Sequence, residues 1–158
     1  MNSVKAGLIR QYKSSFDMLR QAVERCPDDL WLEGTHPRNT WRIAYHAAYY
    51  THLYLAQNTK AFEPWSKHRQ DCVILWSNPK VEEPYLRKEV LEYIDFIIEL
   101  MPRAVENLNL EAKSSGYSWY PNVPKIEHQF VNLRHIQGHV GQLSELLMAR
   151  GIEIDWAG

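Results

Sequence analysis

A chain of 158 residues falls within the span of one domain, and 45% apolar residues, 23% charged residues and a net charge of −1 describe an ordinary globular protein rather than a disordered or collagen-like one. Lys and Arg are scattered singly, which gives no clustered basic footprint for nucleic acid, and no apolar run approaches the roughly 20 residues that cross a bilayer. The opening MNSVKAGLIRQYKSSFDML lacks the apolar core of a secretory signal, and two cysteines are too few for a disulfide framework or a cysteine-built zinc ribbon, so residues 1–158 read as one cytoplasmic domain with Cys26 and Cys72 reduced.

Apolar residues at Val4, Leu8, Tyr12, Phe16, Leu19 and Val23 recur every three or four positions and predict a first helix that closes at Cys26-Pro27. Residues 27–39 contain Asp28, Asp29, Gly34 and Pro37 and read as a loop. Asn39 or Thr40 offers a side-chain oxygen to cap a second helix from about Trp41 to Gln57. Its sequence, WRIAYHAAYYTHLYLAQ, is apolar nearly all round, the pattern of a helix buried on most sides.

Residues 59–84, with Pro64, Pro79, Pro84 and the aromatics Phe62, Trp65 and Trp76, predict a long connection holding at most short helical pieces; ordered connections of this length are often functional. A third helix begins near Pro84 or Tyr85 and presents Leu86, Val90, Leu91, Ile94, Ile97, Ile98 and Met101, with Pro102 expected to end or kink it. SSGYSWYPNVP, residues 114–124, reads as an aromatic loop. A fourth helix follows from about Lys125 to Arg150, stopped by Gly151. Four long helical patterns without strand alternation or internal repeat predict an all-α four-helix bundle whose long connections leave room for a crossover.

Chemistry concentrates in RHIQGHVGQLSELL. His135 and His139 stand four apart, one helical turn, so both imidazoles can reach one ion. The pair borders the apolar sector of Leu133, Ile136, Val140, Leu143 and Leu147. Gly138 and Gly141 cost about 1 kcal/mol each relative to alanine inside a helix, which fits either a close approach of backbone or ligand or a close helix crossing. On the second helix His46 shares a face with Tyr49, Tyr50 and Leu53 and is the natural third ligand; a core histidine satisfied by a tyrosine hydroxyl or a carbonyl is the competing account. Three neutral imidazoles leave an exchangeable position on an ion, as in catalytic zinc sites.

His128, seven before His135, points near the same face and is a candidate for the pocket mouth and for proton transfer, as are Tyr49 and Tyr50; Asn132 is a candidate for orienting substrate. His36, His52 and His68 read as surface or packing residues. HExxH, a phosphate loop and a GxSxG elbow are absent, and the lone Glu-x-x-His, Glu33 to His36, sits among Gly34 and Pro37, which argues against a di-iron bundle.

TWRIAYHAAYYTHLYL and NLRHIQGHVGQLSELL resemble the two signature helices of the DinB-like (DinB/YfiT-like) family of metalloenzymes, the HxxxHxGQL pattern of His135, His139, Gly141, Gln142 and Leu143 being the most specific part. The resemblance implies a four-helix core, often a homodimer, with zinc or nickel on His46, His135 and His139. It also implies kinship with thiol-dependent transferases and isomerases. The expected function is thus a metal-dependent enzyme on a small molecule, a transferase, isomerase or hydrolase that activates a low-molecular-weight thiol or a water within walls formed by Tyr117, Trp119, Tyr120 and Tyr49 or Tyr50. The alternatives are a non-catalytic metal-binding or dimeric interaction domain with a structural or sensory ion, and histidines that serve packing alone.

Overall fold

The computed structural model describes residues 3–158 and is all-helical, with no strand among them. Five α-helices follow in order: α1 Ser3–Arg25, α2 Asp28–Leu32, α3 Thr40–Tyr54, α4 Arg87–Asn107 and α5 Lys125–Met148. Two 3-10 turns, Thr59–Ala61 and Gln70–Val73, interrupt the connection between α3 and α4. No helix among the described residues is long and apolar enough to cross a membrane.

The amphipathic spacing accounts for α1 and α4. Leu8, Tyr12, Phe16, Leu19 and Val23 form the buried stripe of α1, and Val90, Ile94, Ile97, Met101 and Val105 that of α4. In α3 every residue except Tyr50 is buried. It packs on α5 and α4, while α1 packs on α4 and α5, so the long helices next to one another in sequence are not the principal neighbours in space.

Several boundaries differ from the sequence expectation. The stretch after Pro27 is not all loop: Asp28 and Asp29 occupy the first turn of α2, where carboxylates favour the positive helix end, and Trp31 donates its indole N–H to the Tyr85 carbonyl at 2.8 Å. Asn39 precedes α3 without capping it, because its amide instead donates to the carbonyls of Leu32 and Gly34. The second long helix stops at Tyr54 rather than Gln57. There the Tyr117 hydroxyl donates to the carbonyls of Leu53 and Ala56, and the Lys125 ammonium to that of Ala56, satisfying carbonyls that a helix end leaves open. Pro102 does not end α4, which continues to Asn107; burial of Met101 and Val105 on either side holds the helix across the missing amide.

The long connection is tied down by aromatic packing. Trp65 stacks on Tyr93 at 4.7 Å, Tyr85 on Tyr45 at 4.3 Å, and the buried Arg42 guanidinium bonds the Asp71 carbonyl. A polar layer crosses the core between α1, α3 and α5. Tyr12 donates to Gln129 at 2.9 Å, Gln129 to the Tyr54 carbonyl at 3.1 Å, and Asn132 to the Thr51 carbonyl at 3.2 Å. Both cysteines are free and buried.

Candidate metal centre

Helical pitch places His135 and His139 on one face of α5, and the packing of α3 against α5 brings His46 to meet them. Their ligand atoms all lie within 4.8 Å of one another. His46 Nε2 is 3.0 Å from His135 Nε2, and His139 Nε2 is 3.2 Å from the same atom.

The outer nitrogens determine what the inner ones carry. His46 Nδ1 lies 2.6 Å from the Val73 carbonyl, which only accepts, so Nδ1 holds the proton and Nε2 offers a lone pair. His139 Nδ1 faces Gln142 Oε1 at 2.8 Å, which assigns the same tautomer. His135 Nδ1 is buried without a partner. A proton on His135 Nε2 would be one donor between two acceptors, whereas a divalent cation would satisfy all three lone pairs. The donor set could therefore hold a divalent metal ion, for which neutral imidazole is a suitable ligand.

Electrostatics agree with neutral rings. Burial pushes His46 down to about 3, and the neighbouring imidazoles and Arg38 act in the same direction against the Val73 bond. Burial, with the adjacent His139, takes His135 to about 4; His139 is lowered mainly by burial. All three rings are uncharged at neutral pH, each with one ring nitrogen free of a proton, the state a metal requires.

A cavity of about 520 Å³ opens on His46 and His135 and is walled by Tyr50, Tyr54, Trp76, Trp119 and Tyr120. Trp76 comes from the long connection, its ring edge-on to His46 at 6.0 Å, and the next residue, Ser77, has φ +61°, a backbone state uncommon outside glycine. Trp119 donates to the Tyr54 hydroxyl at 3.0 Å. Gly116, at φ +86°, lets this loop approach the end of α3, where a Cβ would lie 2.4 Å from the Gln57 carbonyl. On the other side of His135 a cleft of about 290 Å³ is formed by Tyr120, Val131, Arg134, Gly138, His139 and Gln142. No atom lies within 4 Å of a Cβ built on Gly138 or Gly141, so neither glycine marks a helix crossing.

Other expected site residues lie elsewhere. Tyr49 packs on Phe62 and stacks on His68, and Tyr117 is buried under the loop. His128 is fully buried among the rings of Tyr54, Tyr117 and Tyr120, with both nitrogens unpartnered, and reaches no pocket mouth. Asn132 is fully buried and serves the Thr51 carbonyl, so it does not face a substrate. His36, His52 and His68 bond the Pro79 carbonyl, the Tyr93 hydroxyl and the Tyr45 hydroxyl respectively. A separate cavity of about 430 Å³ beside His52, Phe62 and Phe96 gathers no comparable group of donors.

Sequence reasoning missed Tyr54, Trp76 and Arg134. The first was within reach, since positions 46, 50 and 54 form an i, i+4, i+8 stripe on one helix.

No protein family, curated protein or solved structure matches the chain.

Proposed function

We propose that the chain is a metal-dependent enzyme acting on a small molecule, with His46, His135 and His139 holding a zinc or nickel ion. In this reading α1, α3, α4 and α5 form a DinB-like four-helix bundle that works as a cytoplasmic homodimer. The observation that carries the proposal is the convergence of three neutral Nε2 atoms beside an aromatic cavity. A bound divalent ion would lower the pKa of water from 15.7 to about 7, and would favour thiolate likewise, supplying a nucleophile at neutral pH.

The chain's own residues prepare the surroundings. Val73 and Gln142 fix the imidazole tautomers. Tyr54, Trp76 and Trp119 give the cavity on one side of the cluster apolar walls. Tyr50 lines the same cavity, and burial raises its phenol above the ordinary range, so it stays protonated and donates a hydrogen bond to a substrate atom rather than acting as a base. The sealed His128 is no proton carrier.

The bond from His46 to Val73 favours a second reading, in which the ion orders the long connection of a non-catalytic domain. Elemental analysis of protein purified without an affinity tag tests both readings. About one equivalent of metal, lost in His46→Ala and His135→Ala, is expected; a wild type that neither contains nor takes up zinc or nickel would remove both. Metal-dependent turnover in thiol, water or isomerisation assays selects the enzyme. A sharp loss of melting temperature on chelation, without turnover, selects the structural ion.

A further inference from the structure

The cavity and the cleft share His135 and Tyr120 but differ in chemistry. The larger is walled by Tyr50, Tyr54, Trp76 and Trp119 and has no charged side chain among its lining residues. Rings of this kind accept a flat apolar group by stacking and edge contacts. The smaller carries one full charge, that of Arg134, which is exposed and forms no ion pair or side-chain hydrogen bond among the described residues. Gly138, one turn on, leaves open space in the cleft, and the guanidinium's fork of N–H groups matches a carboxylate. A molecule lying across His135 would meet the aromatic walls at one end and Arg134 at the other.

We infer that the site takes a bipartite ligand, a small molecule with an aromatic group in the cavity of Tyr54, Trp76 and Trp119 and a carboxylate at Arg134, its reactive atom lying at the histidines between them. This deepens the metal-enzyme reading and rests on it only for the reactive atom. The two recognition lobes are properties of the chain and operate with or without the ion. Gly138 has a positive part in this arrangement: a larger side chain there would occupy the space beside Arg134.

The probe is 2-mercapto-3-phenylpropanoate, which places a thiol between a phenyl ring and a carboxylate. It is compared by calorimetry with 3-phenylpropanoate, 2-phenylethanethiol and thioglycolate, on zinc-loaded and on chelator-treated protein. Arg134→Ala is expected to weaken both phenylpropanoates about threefold to fivefold, the scale of an exposed charge pair, and to leave 2-phenylethanethiol unchanged. Trp119→Ala is expected to weaken the three phenyl compounds about tenfold, the scale of a lost aromatic contact, and to leave thioglycolate unchanged. Circular dichroism confirms that both variants are folded, and Trp76→Ala repeats the aromatic test from the other wall.

Thiols that bind in a zinc-dependent way with equal affinity in wild type, Arg134→Ala and both tryptophan variants would overturn the bipartite ligand while sparing the metal centre. A mercapto compound that binds no tighter than 3-phenylpropanoate, with the Arg134 and Trp119 dependence intact, would support the lobes and remove the metal. Failure of both phenylpropanoates to bind either form would overturn the inference.

Discussion

His46 Nδ1 and the carbonyl oxygen of Val73 lie 2.6 Å apart, so the histidine at the centre of the site is oriented by a residue from the long connection. Ligand geometry and the order of residues 70–76 thus belong to one equilibrium. An ion that holds His46 also holds Val73 and, three residues on, the wall formed by Trp76.

Zinc is therefore expected to raise the melting temperature and to slow amide exchange around Val73. At a free concentration 100 times Kd, linkage gives about 2.7 kcal/mol, or roughly 5–10 °C for a protein of this size. Differential scanning calorimetry with and without chelator reads the shift, and His46→Ala should abolish it. Slowed exchange elsewhere but not near Val73 would contradict the coupling.

Acid should destabilise the metal-free protein early. Burial pushes His52 and His128 each to about 4, below the ordinary 6.5 of an unfolded chain. The folded state then binds fewer protons than the unfolded state between those values. Stability is fully present above pH 6.5 and is lost as pH falls toward 4. Melting temperature in the presence of chelator should be flat near pH 7 and fall steadily below 6.5; a flat profile down to pH 4.5 would show that these rings are not held neutral.

His128→Phe separates one contribution from those of His52 and the three histidines of the site. The ring nitrogens have no partner inside the cage of Tyr54, Tyr117 and Tyr120, so an apolar ring of similar shape forfeits no hydrogen bond. Urea unfolding at pH 7 should change by less than about 1 kcal/mol, and the acid slope should become shallower. A loss above about 2 kcal/mol would reveal a bonded histidine.

Tyr12→Phe removes the donor to the buried side-chain oxygen Oε1 of Gln129 and leaves that acceptor without its hydroxyl. The expected cost is about 1–3 kcal/mol in urea unfolding, with metal content unchanged because none of the three histidines takes part in the layer.

Gly116→Ala places a Cβ 2.4 Å from the Gln57 carbonyl at φ +86°. The aromatic loop must shift, and the indole of Trp119 should lose its bond to Tyr54. Stability is expected to fall by about 1–3 kcal/mol, the range of strained backbone, with a red-shifted tryptophan emission. Wild-type emission in a folded variant would argue that the loop is not anchored at Gly116.

The histidine pair of α5 was legible because helical pitch alone sets an i, i+4 relation, and the all-helical architecture followed from apolar spacing. Which flank of α3 faces the site was harder to read. A helix apolar all round has no polar stripe to set its phase, so Tyr49 and Tyr50 looked equivalent until packing separated them by 100°. His128 had the right azimuth but is sealed by Tyr117 and Tyr120, and where that loop folds is a tertiary outcome. Trp76 and Arg134 were hidden for the same reason: one stands on a connection of unknown path, the other on a face that matters only because His139 and Gln142 share it. Pro102 shows local propensity overruled, since the buried residues around it outweigh one absent amide.

The burial of α3 on all sides except Tyr50 divides the labour of change in this molecule. Nearly every substitution on the helix that carries His46 would disturb packing, so the chemical centre is confined to a segment that tolerates little variation. Trp76 and Trp119 stand half exposed on two connections that are themselves bonded to this helix, one through Val73 to His46 and the other through Trp119 to Tyr54. A change of ligand would therefore have to come through the exposed rings of Trp76 and Trp119, with the backbone that ties both connections to α3 left in place.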